Sequence, residues 1–121
     1  MIIKFENAKE LVYLEALETE EYFNGASRRT LTFECAPDAI SIDELNYILS
    51  KESNVSSLTL VNEEANVSNI YDGYVLKLKV GIENKLVRAE SANTPAIYED
   101  RLVFKLGKRT YIEEQLKKLG L

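Results

Sequence analysis

The chain has 121 residues, a formal net charge of −5, one cysteine and no histidine. This length fits one domain, and a composition of 45% hydrophobic and 29% charged residues is typical of a globular protein and not of a disordered one. The acidic balance argues against a dedicated nucleic-acid binder, and the lack of histidine removes the commonest general base and the commonest metal ligand.

The N-terminal part of the chain alternates between strand-like and ambiguous segments. IIKFE at 2–6 predicts a short strand. AKELVYLEALETEEYF at 8–23 has high helix propensity, yet its apolar residues also alternate, so the pattern alone leaves helix and strand open. Asn24-Gly25 is a turn signal because both residues tolerate positive φ. RRTLTFEC at 28–35 then predicts a strand with an apolar inner face.

Two segments carry helix signatures. In SIDELNYILS, Ser41 and Glu44 are spaced as a capping box. In RTYIEEQLKKLGL, Thr110 and Glu113 repeat that spacing, and Gly120 is a natural C-terminal cap. Each segment also has an apolar stripe, which predicts that one face of each helix is buried.

The remaining segments indicate strands. SSLTLV at 56–61, GYVLKLKVGI at 73–82 and AIYEDRLVFKL at 96–106 each alternate, and ENK at 83–85 predicts a turn into LVRAES. We therefore predict a single α+β domain over 1–121, rich in strands, arranged as an antiparallel sheet, sandwich or partly open barrel with two short helices. The predicted buried core is Leu31, Phe33, Cys35, Leu45, Ile48, Leu76, Leu78, Leu102, Phe104, Ile112 and Leu116.

No residue pattern points to catalysis, a cofactor or a metal. Cys35 lies on the apolar side of a predicted strand, where a buried and inert thiol is expected. The carboxylate pairs are sequence neighbours, which point in different directions on a strand or a helix and are not placed for paired acid–base work. We therefore expect no catalytic, cofactor-binding or metal-ligating residues. The start of the chain has no signal-peptide pattern, and no apolar run is long enough to span a membrane, so we expect a cytoplasmic protein.

Four segments carry a family resemblance. YFNGASRRTLTFEC, SIDELNYILS, YDGYVLKLKVGI and TPAIYEDRLVFKLGKRTYIEEQL, in this order, resemble small proteins encoded in the tail-morphogenesis modules of tailed phages and prophages of Gram-positive bacteria. The resemblance implies a non-catalytic structural or assembly protein that contacts other protein subunits, including copies of itself. It implies association with the virion, and neither nucleic acid nor membrane as a partner.

The resemblance also favours a strand for residues 10–23, which would pair across Asn24-Gly25 with residues 28–35. A long charged hairpin is suited to reaching a neighbouring subunit, although its charges could equally protect a strand edge from aggregation. Acids on one arm could meet arginines on the other arm or on a neighbour. Because Arg28 and Arg29 lie next to the predicted turn, we expect their reversal to glutamate to disrupt the assembly and to leave the fold intact. The predicted interface residues are Glu18, Glu20, Glu21, Tyr22, Asn24, Arg28 and Arg29.

A second class of function remains open on the sequence alone. A host-encoded binding module or adaptor could recognise a peptide or protein through the edge of its sheet.

Overall fold

Eight strands and three helices follow one another in a computed structural model that describes all residues 1–121. The strands are β1 (Ile2–Lys4), β2 (Glu10–Val12), β3 (Glu15–Phe23), β4 (Ala26–Cys35), β5 (Ser57–Asn62), β6 (Val67–Asp72), β7 (Leu76–Arg88) and β8 (Ile97–Gly107). The helices are α1 (Ile42–Leu49), α2 (Glu52–Val55) and α3 (Tyr111–Lys118). None of the helices is long and apolar enough to cross a membrane.

The strands form two antiparallel sheets of four. The first sheet has the order β2-β1-β5-β6, and the second has the order β3-β4-β8-β7. The strand-rich α+β prediction is therefore confirmed, with one more short helix than predicted. The segment that the pattern left open is extended, because β3 pairs with β4 along its whole length and no helix forms there.

The core lies between the apolar faces of the two sheets and is closed by α1. Phe33 and Phe104 are directly opposite each other on β4 and β8, with ring centroids 4.9 Å apart. The first sheet contributes Ile3 and Leu58, which are fully buried. Of the predicted core residues, the following are buried: Leu31, Phe33, Cys35, Leu45, Ile48, Leu102 and Phe104.

Two parts of the core prediction are wrong. Leu76 and Leu78 are only half-buried because β7 is an edge strand and the register shifts near Leu78. Ile112 and Leu116 are 70% and 43% exposed. Capping and amphipathic spacing predicted the helix correctly, but they contain no information about which side of the helix faces the domain.

The hairpin of β7 and β8 also differs from the prediction. The segment 83–85 is not a turn, since β7 continues through it to Arg88 and pairs with β8 as far as Ile97. The strand β6 was not predicted, because its residues are mostly exposed and do not alternate clearly. At α1, Ser41 accepts from the Glu44 amide, but the Glu44 carboxylate pairs with Lys9 at 3.0 Å instead of completing the predicted capping box.

Candidate functional site: the β3–β4 hairpin and helix α3

A two-residue turn joins β3 to β4. Phe23 pairs with Ala26, and the residues between them, Asn24 and Gly25, have φ values of 52° and 82°. Positive φ at both central positions is the type I′ geometry that fits the twist of a hairpin. The prediction of two antiparallel strands around Asn24-Gly25 is confirmed for residues 15–35. It is wrong for residues 10–12, which form β2 and pair with β1 in the first sheet.

The tip of this hairpin extends beyond the rest of its sheet. The ladder between β8 and β4 begins at Thr30, and beyond it the Lys108 amide donates to the Arg29 carbonyl at 2.9 Å. Residues 20–28 form ladder pairs only within the hairpin. We call residues 20–29 the hairpin arm. At its tip Tyr22 is 77% exposed, as expected of an interface residue. The phenol combines apolar area with a polar end, which suits a protein contact.

Three of the predicted acids have partners within the domain. Glu18 forms an ion pair with Arg29 across the hairpin, as predicted. Glu20 accepts a hydrogen bond from the Ser27 hydroxyl at 3.2 Å. Glu21 does not contact an arginine, because its carboxylate accepts from Lys105 Nζ on β8 at 2.8 Å. This hydrogen bond lowers the pKa of Glu21 below its ordinary value.

Arg28 differs most from the prediction. It was expected at an exposed turn, but it is only 3% exposed. Its Nε and Nη2 both donate to the Phe23 carbonyl, and Nη1 donates to the Lys108 carbonyl at 2.9 Å. Nη1 also donates to Glu113 Oε1 at 2.6 Å. The guanidinium is therefore a buried junction between the hairpin arm, the end of β8 and α3, and its reversal to glutamate would not leave the fold intact.

Glu113 fixes the N-terminus of α3. Its carboxylate accepts from the Thr110 amide at 2.8 Å while the Thr110 hydroxyl accepts from the Glu113 amide, so the predicted capping box is complete. The hydrogen bond from Arg28, followed by that from the Thr110 amide, lowers the pKa of Glu113 to about 2. The sequence showed the capping role of Glu113 but not its contact with Arg28, which lies 85 residues away.

The C-terminus of α3 is also capped by specific backbone hydrogen bonds. Gly120 has a φ of 78°, and its amide donates to the Lys117 carbonyl at 3.0 Å. The Leu121 amide donates to the Leu116 carbonyl at 2.9 Å. This pair of bonds is a Schellman motif, which satisfies the last carbonyls of the helix. Both ends of α3 are thus terminated by specific hydrogen bonds.

The orientation of α3 leaves its apolar side uncovered. Glu113 and Lys117, on one side of the helix, make ion pairs with Arg28 and with Glu52 on α2. The apolar stripe lies roughly 100° further round the helix, as expected from 3.6 residues per turn. We define the α3 stripe as Ile112, Leu116 and Leu119, which are 70%, 43% and 73% exposed.

The outer face of the second sheet holds a cleft of about 600 Å³ to which all four strands contribute. Its side chains are mainly glutamate and lysine, and several already form ion pairs with one another. Lys79 lies 3.1 Å from Glu83, and Lys105 pairs with Glu21. The cleft therefore has the mixed and internally compensated charge of a polar surface.

The single thiol and the acidic side chains can be compared with the sequence expectations for Cys35 and for metal ligands. Cys35 is completely buried, and this burial raises the pKa of its thiol to about 12. No group of three or more acidic or cysteine side chains is placed to hold a metal ion. The features that distinguish this molecule are therefore its protruding arm, its exposed helix stripe and its free sheet edges.

No family model, no curated protein and no solved structure matches the chain. The resemblance to tail-module proteins thus depends on the sequence motifs alone.

Proposed function

We propose that the protein is a non-catalytic structural or assembly component of a phage or prophage tail, which acts by binding other protein subunits. The observation that carries the proposal is the outward-facing α3 stripe. A helix with an apolar face is normally stabilised by packing that face against its own domain. Here the helix is capped at both ends and bound to the domain through Arg28 and Glu52, while its leucines and isoleucine stay in water.

The hairpin arm supports the same proposal. It protrudes from the sheet and presents Tyr22 together with Phe23, which is 39% exposed. Aromatic residues and apolar side chains are enriched at the centres of protein interfaces, and an exposed apolar patch is a sign of a binding surface. The sequence motifs in the arm, α1, β7 and α3 supply the connection to tail modules.

Two experiments test this function. Deletion of the coding gene from an inducible prophage should yield particles with missing or incomplete tails in electron micrographs, and the wild-type gene should restore them. A variant with Ile112, Leu116 and Leu119 all changed to serine should fold but fail to restore tails. The matched control is Lys118→Ser on the same helix, which should restore them. Intact, infectious particles from the deletion strain would contradict the proposal.

A binding module that takes a peptide at its sheet edge is the second candidate. It is favoured by β6, a six-residue edge strand with a single charged residue, Asp72. A free edge with so little charge is open to main-chain pairing with an added strand. Protection of the β6 amides from hydrogen exchange on addition of a partner peptide would favour this candidate.

A further inference from the structure

The two free edges of the second sheet carry opposite charges. The edge strand β3 contains four glutamates and no basic residue. The opposite edge strand, β7, contains three lysines and one arginine against a single glutamate. Both edges belong to one rigidly paired sheet, so each molecule presents an acidic edge and a basic edge at once.

Both edges are open to main-chain pairing. In an antiparallel ladder, every second residue of an edge strand directs its N–H and C=O groups away from the sheet. Outside the regular ladders, no backbone hydrogen bond involves residues 15–22 of β3 or any residue of β7. The two strands are nine and thirteen residues long, which is long for unprotected edges.

We propose that β3 of one molecule pairs antiparallel with β7 of a second copy, so that the second sheet continues from subunit to subunit. This inference depends on the proposed function, because it names a second copy of the chain as one of the protein partners. The even number of alternating strands supports it. A neighbour in the same orientation presents β7 antiparallel to β3, as the ladder requires.

Charge selects this head-to-tail arrangement over symmetric ones. Pairing β3 with another β3 would place four glutamates against four glutamates, and pairing β7 with β7 would oppose two sets of basic residues. Like charges directly opposite each other destabilise a strand pair, whereas opposite charges stabilise it. A contact between two different edges leaves one edge free on each end, so growth continues until a ring closes or a filament forms.

The pairing pattern also predicts the register. The row Leu17, Thr32, Lys105 and Lys79 crosses the second sheet on its outer face. We assume that the outer faces of the two subunits lie on the same side of the continued sheet. When Thr19 then lies opposite Gly81 of the second copy, Glu15 lies opposite Lys85 and Glu21 lies opposite Lys79. A shift of two residues in one direction instead places Glu15 opposite Glu83, and a shift in the other direction loses both attractive pairs. We therefore expect Thr19 to face Gly81.

Cysteine cross-linking tests both the contact and the register. Directly opposed residues in an antiparallel pair have Cα separations suited to a disulfide. Gly81 accepts a side chain, because a Cβ placed there meets no atom within 4 Å. The native Cys35 is fully buried, so wild type is the control for background cross-linking.

Under mild oxidation, the double variant Thr19→Cys/Gly81→Cys should give a ladder of covalent oligomers or a closed ring. A mixture of the two single variants should give a dimer that neither forms alone. Pairing Thr19→Cys with Glu83→Cys, two residues out of register, should give a yield lower by about tenfold. The Thr19→Cys/Gly81→Cys variant should lose a similar amount when Glu15→Lys is added, because this change places two lysines opposite each other, at positions 15 and 85. High salt should reduce the ladder.

If Thr19→Cys alone gave as much dimer as the mixture of the two single variants, the contact would be a symmetric one between two β3 strands, and the proposal would be overturned. A monomer without cross-links at all concentrations would also overturn it. The proposed tail function would fail separately, through intact particles from the deletion strain, so the two failures are distinguishable.

Discussion

The Nη1 atom of Arg28 lies 2.6 Å from Oε1 of Glu113, and this contact joins the hairpin arm to the N-terminus of α3. The arginine side chain is 1% exposed, whereas the glutamate side chain is 31% exposed. If Arg28 is removed, the Glu113 carboxylate can be hydrated again, but the carbonyls of Phe23 and Lys108 lose their hydrogen-bond donor. The loss of stability therefore comes mainly from the buried surroundings of Arg28.

We expect Arg28→Ala to lower the free energy of unfolding by about 2–4 kcal/mol, because it leaves buried polar groups unpaired. Arg29→Ala is the matched control. Its side chain is 54% exposed and makes a surface ion pair with Glu18, so its loss should cost less than about 1 kcal/mol. Chemical denaturation of the two variants measures the difference. Equal losses would show that Arg28 is not the junction described above.

The contact also predicts a dependence of stability on pH. The pKa of Glu113 falls from an ordinary 4.5 to about 2 in the folded protein. A lowered folded-state pKa stabilises the fold at pH values above the unfolded-state pKa, and this stabilisation is lost as pH falls from about 4.5 towards about 2. Stability measured across this range should fall less steeply in Glu113→Gln than in wild type. Parallel curves would argue against the assigned contact.

Phe104 tests the packing between the sheets. It is fully buried and stacks on Phe33, so Phe104→Ala should lower the free energy of unfolding by about 3–5 kcal/mol. Tyr98→Ala on the same strand is the control, because Tyr98 is 59% exposed and should cost less than about 1 kcal/mol. A loss below about 1 kcal/mol for Phe104→Ala would show that the inward face of β8 is wrongly assigned.

The geometry of the turn in the hairpin arm requires a glycine at position 25. Gly25 has a φ of 82°, where a Cβ is strained, so Gly25→Ala should destabilise the protein by roughly 1 kcal/mol. Gly81→Ala is the control, since Gly81 lies in a strand with open space around its Cα and no positive φ. We expect it to be neutral or slightly stabilising. Denaturant midpoints compare the two, and an equal effect would contradict the type I′ turn.

Cys35 provides a probe of local opening. Its thiol is buried with a pKa raised to about 12, so a thiol reagent should not label the native protein at neutral pH. Labelling should become rapid in denaturant, where the thiol regains its ordinary pKa. Fast labelling under native conditions would mean that β4 is accessible, and would show that the core opens locally.

Most elements of the fold could be predicted from local patterns, because turn chemistry, caps and alternation each involve residues close in sequence. Asn24-Gly25 predicted the hairpin turn, and Thr110 with Glu113 predicted the start of α3. The orientation of α3 could not be predicted in this way, because it depends on Arg28, a residue from a distant strand. The same limit applies to Arg28 itself: its position near a turn suggested exposure, while α3 and the end of β8 bury it.

The order of the strands has a consequence for how the chain folds. Phe33 on β4 cannot meet Phe104 until β8 has been made, and Ile3 on β1 pairs with Leu60 far along the chain. Only the hairpins, such as β3–β4, can form from local contacts. Topologies dominated by pairing between distant segments fold slowly. During synthesis the β3–β4 hairpin is therefore expected to form early, with the apolar side of β4 temporarily uncovered. The glutamates of β3 would then limit premature pairing of one nascent β3 with another.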